Sequence, residues 1–307
     1  MVDDLRARRP GLRLYGLTPP KRGQDPQKLG EIADRQVQRI AALAPDALVL
    51  YDLQDEPGRT AEQRPFPFLP TLEPLAYAQE HLAALSVPRV VYKCVANLDR
   101  AGLLAWARAL AEAPGRDACV LVGAPTSAVP RPEGTLDLAG AYRLFAEQAP
   151  EVWVGGVAIA ERHARKLDED QRLLAKHAAG CRFFISQTVF DAAATKSLLS
   201  DYALRFGAAG IAPPPFFLSL SPCGSLKTMQ FMKWLGIAFP RWLENELRHA
   251  PDILRRSVDL AIQIFADVRA FAADKNIPLG LNVESVSIRK EEIEASAELF
   301  AAVSTPR

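Results

Sequence analysis

The chain has 307 residues, of which 49% are apolar and 24% are charged. This length and this apolar share suffice for one large hydrophobic core or for two small ones. Lys and Arg together number 37 against 36 Asp and Glu. We therefore expect no nucleic-acid partner and no membrane partner, because the chain has no surplus basic charge to attract either.

The N-terminal segment and the cysteines bear on the cellular compartment. The opening MVDDLRARRP is charged, and no apolar run approaches the roughly 18 to 20 residues that span a bilayer. Cys94, Cys119, Cys181 and Cys223 lack the CxxC or CxxH spacing of a metal site. We expect buried free thiols, no bound metal and a cytoplasmic location.

Short β-branched and apolar runs alternate with amphipathic stretches along the chain, which is typical of repeated βα units. Eight such runs predict strands. They are Leu12 to Leu17, Ala47 to Leu53, Arg89 to Val95, Ala118 to Val122, Val152 to Ile159, Arg182 to Gln187, Phe216 to Ser221 and Leu279 to Glu284.

The intervening stretches predict helices, because their apolar residues recur at three- and four-residue spacing. They are Asp25 to Leu43, Leu72 to Leu85, Asp99 to Ala113, Leu136 to Gln148, Ala164 to Ala179, Ala192 to Phe206, Ser225 to Leu235, Asp252 to Asp274 and Lys290 to Val303. Pro240 to His249 predicts an extra helix before the last strand.

Eight βα units without a linker favour an α/β fold of the closed (β/α)8 TIM barrel type over an open, doubly wound sheet. We expect a single domain covering residues 1–307. In such a barrel the active site lies at the C-terminal ends of the strands and in the loops that follow them. We therefore expect the ligand-binding residues at these strand ends and in these loops.

The segment from Val154 to Asp191 resembles the methylenetetrahydrofolate reductases. In that family a Pro-Glu-x-His turn, a helix with Leu-x-x-Lys-x-x-x-Gly and a strand ending in Thr-Gln follow one another, and Phe-Asp comes next. The matching residues here are Glu161, His163, Leu173, Lys176, Gly180, Ser186, Gln187, Phe190 and Asp191.

The resemblance implies an eight-stranded barrel that binds FAD at its C-terminal face. It implies an oxidoreductase of one-carbon metabolism that moves hydride between NADH or NADPH, the flavin and a small-molecule folate. The expected reaction interconverts 5,10-methylene- and 5-methyltetrahydrofolate. A homo-oligomer is compatible with this fold, although no sequence pattern identifies its surface.

The resemblance also implies roles for particular residues. His163 and Lys176 would contact the ribityl and phosphate parts of FAD, although a helix-capping histidine and a solvated lysine remain alternatives. The amide of Gln187 offers both a donor and an acceptor to a pterin, and Tyr51 would lie beside the substrate. Gln187 could instead bond only to the backbone, and Asp191 is predicted to be a helix N-cap.

Four positions depart from the family pattern, and all lie at predicted strand ends. Gly16 stands where the family has a glutamate that supplies a proton, and Gly123 falls in a turn that has lost an arginine and an aspartate. Tyr92 and Ile159 replace a histidine and a tyrosine. We expect Gly123, Tyr92 and Ile159 still to lie beside the cofactor.

Because Gly16 cannot supply a proton, another carboxylate would have to act as the acid. Glu284, at the end of the last strand, is the candidate catalytic acid, unless it bonds only to the backbone or to Arg289. Further candidates are Asp52, Asp55 and Glu56 after the second strand.

Two other functions remain open. The first is a folate- or pterin-binding barrel without flavin chemistry, acting as a carrier, regulator or partner subunit. The second is an unrelated barrel lyase or aldolase, for which Lys93 is the evident candidate for a Schiff base.

Overall fold

The structure is a computed structural model that describes residues 1–55, 60, 62–113, 118–124 and 132–304. Eight parallel strands follow one another in chain order around a closed barrel, and the first pairs with the last. The predicted (β/α)8 TIM barrel is confirmed. The strands are β1 (Arg13–Leu17), β2 (Ala47–Leu50), β3 (Arg89–Cys94), β4 (Ala118–Val122), β5 (Trp153–Ala158), β6 (Phe183–Thr188), β7 (Phe216–Leu220) and β8 (Leu279–Val283).

Helices surround the barrel and face it with their apolar sides. Those in the described residues are α1 (Val2–Arg6), α2 (Pro26–Leu43), α3 (Pro74–His81), α4 (Arg100–Ala111), α5 (Leu138–Gln148), α6 (Ala160–Lys166), α7 (Glu169–Ala178), α8 (Ala192–Ala208), α9 (Leu226–Trp234), α10 (Arg241–His249), α11 (Ile253–Asp274) and α12 (Lys290–Ser304). The extra helix predicted before the last strand is α10. None of the helices described is long and apolar enough to cross a membrane.

Side-chain caps explain where several helices begin. Asp191 accepts a hydrogen bond from the backbone N–H of Ala194 at 2.9 Å, as predicted for an N-cap. Asp25, Asp99, Asp137, Ser225 and Asp252 cap other helices in the same way.

Two features of the helical layer differ from the sequence prediction. The single helix predicted from Ala164 to Ala179 is two helices, because Leu167 adopts a left-handed conformation (φ 51°) that ends α6 before α7 begins. The five residues between Leu167 and Leu173 are all polar, so the apolar spacing is interrupted at the break that the single predicted helix spanned. Helix α1 was not predicted, since five residues are too few for a periodic pattern.

Alternate strand residues fill the barrel interior. Gly155 and Gly280 leave room for aromatic rings, since a Cβ on either would lie 2.5 Å from the ring of Phe183 or Phe217. Leu5 of α1 is 1% exposed and packs into this interior cluster. Helix α1 therefore closes the end of the barrel opposite the C-terminal ends of the strands. All four cysteines are buried thiols, as predicted.

Candidate functional site

The C-terminal ends of the strands form what we call the barrel mouth, defined by the side chains of Tyr51, Tyr92, Gln187, Thr188 and Glu284. Tyr51, Gln187 and Glu284 are half-buried, whereas Tyr92 and Thr188 are 8% and 2% exposed. The mouth thus has a buried floor and a partly accessible polar rim, which is the usual form of a small-molecule site.

Glu284 directly follows β8. The Thr188 hydroxyl donates to its Oε1 at 2.5 Å, and the Tyr51 hydroxyl also hydrogen-bonds to the carboxylate. Arg289, the alternative partner, instead lies 3.9 and 4.0 Å from Glu291 and Glu292. Glu284 is therefore held by two hydroxyl groups rather than by an arginine.

Burial raises the pKa of Glu284 above its ordinary value, and the hydrogen bonds from Thr188 and Tyr51 partly oppose that rise. Burial, with the nearby charge of Glu284, also raises the pKa values of Tyr51 and Tyr92 well above the ordinary range. The two phenols therefore stay neutral at physiological pH. Among these three groups, Glu284 is the one whose pKa is raised from the acidic side toward that range.

Tyr51 reaches from β2 across β1 to β8. Its hydroxyl oxygen accepts a hydrogen bond from Asn282 Nδ2 at 2.9 Å, and its ring lies 4.8 Å from that of Tyr92. Gly16 makes this path possible, because a Cβ there would lie 2.8 Å from Tyr51 Cε2 and 3.1 Å from Glu284 Cβ.

The same observation explains the missing first-strand acid. The space beside Gly16 is taken by Tyr51 and Glu284, and β8 is the neighbour of β1 in the barrel. Glu284 therefore lies beside the position of the missing acid, at the end of the adjacent strand.

An irregularity in β6 sets the direction of Thr188. The pairing of Ile185 with Phe217 is followed by that of Thr188 with Ser219, so β6 carries one extra residue. Such bulges redirect side chains near active sites. Gln187 Nε2 donates to the carbonyl of Leu235 at 2.7 Å, and its Oε1 has no hydrogen-bond partner in the described part of the chain.

Asp52 follows Tyr51 at the end of β2. Its Oδ2 accepts from the backbone N–H of Cys94 at 2.8 Å, and its Oδ1 accepts from Gln54 Nε2 at 2.7 Å. Asn97 Nδ2 donates to Gln54 Oε1 at 2.7 Å. Burial raises the pKa of Asp52, although the hydrogen bond from Cys94 opposes the rise.

The other carboxylates predicted after β2 are less suited to the mouth. Asp55 is exposed and forms an ion pair with Arg64 at 3.1 Å. Glu56 lies outside the described residues.

Two of the predicted cofactor contacts lie at strand ends. Ile159 is half-buried and is the N-cap residue of α6, after β5. Gly123 follows β4, and no described atom would lie within 4 Å of a Cβ placed on it. Both positions border the barrel mouth, so a contact with a ligand is compatible with their placement.

His163 is turned toward the helices and is only 1% exposed. Its Nε2 lies 3.0 Å from Asp201 on α8, and its Nδ1 lies 3.8 Å from Asp170 on α7. His163 and Gln187 do not face one shared cavity, because His163 contacts α8 and Gln187 contacts the end of α9. The structure therefore supports a structural role for His163.

Lys176 is also engaged away from the mouth. Its Nζ donates to the carbonyl of Val157 at 2.5 Å and lies 4.0 Å from Glu169. Burial lowers its pKa, and the charge of Glu169 partly compensates. It is neither a solvated lysine nor one directed at a pyrophosphate.

The candidate Schiff-base lysine is likewise occupied. Lys93 Nζ lies 3.0 Å from Glu73, the N-cap of α3, and stands over the ring of Trp106 on α4. Its side chain therefore faces the helical layer. No group of three or more His, Cys, Asp or Glu residues that could hold a metal occurs among the residues described.

The sequence predicted no role for four polar residues of this region, namely Gln54, Asn97, Thr188 and Asn282. Asn282 alternates with Glu284 along β8, so the strand period could have placed both inside the barrel. No sequence signal marks the bulge that redirects Thr188, and Gln54 and Asn97 meet only because their loops fold together.

A protein from Clostridium thermocellum that binds two copies of 5-methyl-5,6,7,8-tetrahydrofolic acid is similar to this chain over nearly its whole length. The identity is 38%, the TM-score is 0.85, and the match covers 99% of this chain and 98% of the other. No protein-family model and no curated protein matches the chain.

Two dihydropteroate synthases are far weaker structural neighbours. The enzyme from Xanthomonas albilineans has 15% identity and a TM-score of 0.47, and that from Vibrio fischeri has 12% and 0.45. Each match covers 97% of this chain and 95% of the other. These values are too low to support a functional conclusion.

Proposed function

We propose, from the premise that this chain belongs to the same family as the methyltetrahydrofolate-binding barrel of Clostridium thermocellum, that it binds a reduced folate at the barrel mouth. The observation that carries this proposal is the 38% identity over 99% of the chain. The ligand to test first is 5-methyltetrahydrofolate.

The polar groups of the mouth suit a pterin. A pterin presents a flat ring and an edge of N–H donors, and the unpartnered Oε1 of Gln187 and the carboxylate of Asp52 are acceptors within the same end of the barrel. The half-buried ring of Tyr51 offers an aromatic surface for stacking. These three residues would bind and orient the ring.

Glu284 gives the site a proton donor. Breaking a bond to a folate nitrogen is easier when that nitrogen is protonated, and a carboxyl with a raised pKa can supply the proton. An enzyme that changes the one-carbon group of the folate is therefore the finer form of this proposal, with Glu284 as its acid.

A flavin-dependent methylenetetrahydrofolate reductase is the second candidate, favoured by the motif residues between Val154 and Asp191. FAD would supply hydride transfer, with NADH or NADPH as the electron source. His163 and Lys176 do not fit the FAD contacts that the resemblance assigns to them, because they are committed to Asp201 and to the Val157 carbonyl. We therefore place the folate-binding barrel without flavin chemistry, as a carrier, regulator or partner subunit, ahead of it.

Calorimetric titration with 5-methyltetrahydrofolate, with and without FAD, tests both candidates. We expect saturable binding without FAD, and Gln187→Ala should weaken it about tenfold through the loss of one hydrogen bond. Gln148→Ala, which alters an exposed amide on α5, is the matched control and should bind like the wild type.

Each contrary result has a separate meaning. The absence of saturable binding would reject the reduced-folate proposal, and an unchanged affinity in Gln187→Ala would remove only that contact. A protein that binds FAD in solution and shows a flavin absorption spectrum would favour the second candidate.

A further inference from the structure

We propose that Asn282 is a positioning residue that directs the hydroxyl of Tyr51 onto Glu284, and that ligand binding at the mouth is thereby coupled to proton uptake by Glu284. This rests on the proposed function, since the ligand is 5-methyltetrahydrofolate. Nothing in the sequence motifs assigned a role to Asn282.

The direction of the hydrogen bonds follows from the donor-only character of the amide nitrogen. Asn282 is 0% exposed, and its Nδ2 lies 2.9 Å from Tyr51 Oη and 2.9 Å from Ser219 Oγ. The Tyr51 oxygen therefore accepts from Asn282, and its single proton is left to donate to Glu284.

The proposed relay requires the amide orientation that the structure shows. With the amide flipped, Asn282 Oδ1 would compete with Glu284 for the one proton of Tyr51. As placed, Oδ1 is the amide atom that has no hydrogen-bond partner among the described residues. In this orientation Asn282 Nδ2 donates to Tyr51, and the proton of Tyr51 is directed toward Glu284.

Glu284 is surrounded by neutral groups. Tyr51 faces it from β2, Tyr92 from β3 and Thr188 from β6, while β1 contributes Gly16. Within the described ranges, no Lys, Arg or His forms an ion pair with Glu284. The two tyrosines remain neutral. The pKa of Glu284 is therefore set by its burial and by its two hydroxyl donors.

Ligand binding should favour the neutral form of Glu284. A pterin ring that covers the mouth removes water from the Glu284 carboxyl, whose charged form burial already destabilises. The folate tail is anionic, and a negative charge nearby also disfavours the charged carboxylate. The pKa of Glu284 is then higher in the complex, so the complex takes up protons. Affinity therefore falls as pH rises through the pKa of the free protein, by at most about tenfold per pH unit for one proton.

Two variants separate a positioning role, which shifts the pH midpoint of binding, from a merely structural one, which lowers the affinity equally at all pH values. In Asn282→Asp the new carboxylate accepts the Tyr51 proton and withdraws a donor from Glu284, so the pH midpoint of binding should rise. Tyr51→Phe, which conserves the shape of the ring, should raise the midpoint for the same reason. In the double variant the loss of Asn282 should cause no further shift of the midpoint by way of Tyr51. The Tyr51 hydroxyl, through which Asn282 acts on Glu284, is already absent.

Titrations with 5-methyltetrahydrofolate between pH 5 and 9 measure this midpoint, with Glu284→Gln to show the residual pH dependence of the ligand. Asn245→Asp, an exposed position on α10, is the matched control and should leave the midpoint unchanged. A midpoint unmoved in both Asn282→Asp and Tyr51→Phe, or a loss of affinity that is equal at all pH values, overturns the proposal.

A ligand-free measurement separates this proposal from the proposed function. Carbon-13 NMR of carboxyl-labelled glutamate follows Glu284 directly, with Glu284→Gln identifying its signal. A rise in its titration midpoint in Tyr51→Phe and Asn282→Asp supports the relay even if no folate binds, and an unchanged midpoint overturns it. Absence of folate binding to the wild type counts against the proposed function alone.

Discussion

Gly16 lies against the ring of Tyr51, and a side chain there would occupy space that the ring and Glu284 already fill. Gly16→Ala would place a Cβ 2.8 Å from Tyr51 Cε2, so the ring must move away from Asn282 and Glu284. We expect a loss of about 1–3 kcal/mol in the free energy of unfolding, measured by denaturant titration, together with weaker folate binding.

Gly30→Ala is the matched control for adding a methyl group. No neighbouring atom would lie within 4 Å of its Cβ, and it lies inside α2, so it should stabilise the protein by about 0.5–1 kcal/mol. Equal stability of the wild type and Gly16→Ala would mean that Tyr51 does not need the space beside Gly16.

At the scale of elements, Glu169 joins α6, α7 and the end of β5. Its side chain is 0% exposed, and it accepts from Arg162 Nη1 at 2.7 Å and from the backbone N–H of Ile159 at 3.2 Å. Lys176 lies 4.0 Å away. Glu169→Ala leaves these cations without their buried anion, and we expect a loss of about 3 kcal/mol in the free energy of unfolding.

Glu147→Ala on α5 is the control, because its side chain is exposed and the change should stay within about 0.5 kcal/mol. Thermal or denaturant unfolding compares the two variants. A Glu169→Ala protein as stable as Glu147→Ala would show that Arg162 and Lys176 find other partners.

At the scale of the whole molecule, the two ends of the barrel are separate. Helix α1 closes one end through Leu5, and the mouth lies at the other. Leu5→Ala should lower the free energy of unfolding by about 3 kcal/mol, as expected for a cavity in a core, while the affinity for 5-methyltetrahydrofolate stays unchanged. Denaturant titration and calorimetry measure the two quantities.

Leu204→Ala is the matched control, since Leu204 is 69% exposed on α8 and its truncation should change stability by less than about 0.5 kcal/mol. A large loss of folate affinity in Leu5→Ala would contradict the separation of the two ends.

The amino-acid sequence alone determined the barrel, because alternating strand and helix patterns are local and recur eight times. It also placed Tyr51, Gln187 and Glu284 at strand ends, which a barrel brings to one face. It did not determine which of the motif side chains face the barrel mouth. His163 and Lys176 match a family motif, yet they bond to Asp201 and to the Val157 carbonyl.

Only the tertiary structure decided the polar network of the mouth. Asn282 and Tyr51 are 231 residues apart in sequence, and Thr188 and Glu284 are 96 apart. Local periodicity carries no information about such pairs. Asn282 and Tyr51 meet only when β8 closes against β1, and Thr188 and Glu284 meet only when β6, β7 and β8 lie side by side. The bulge in β6 and the absence of a Cβ at Gly16 then fix the geometry. These are packing effects, and the residues that they bring together are distant in the chain.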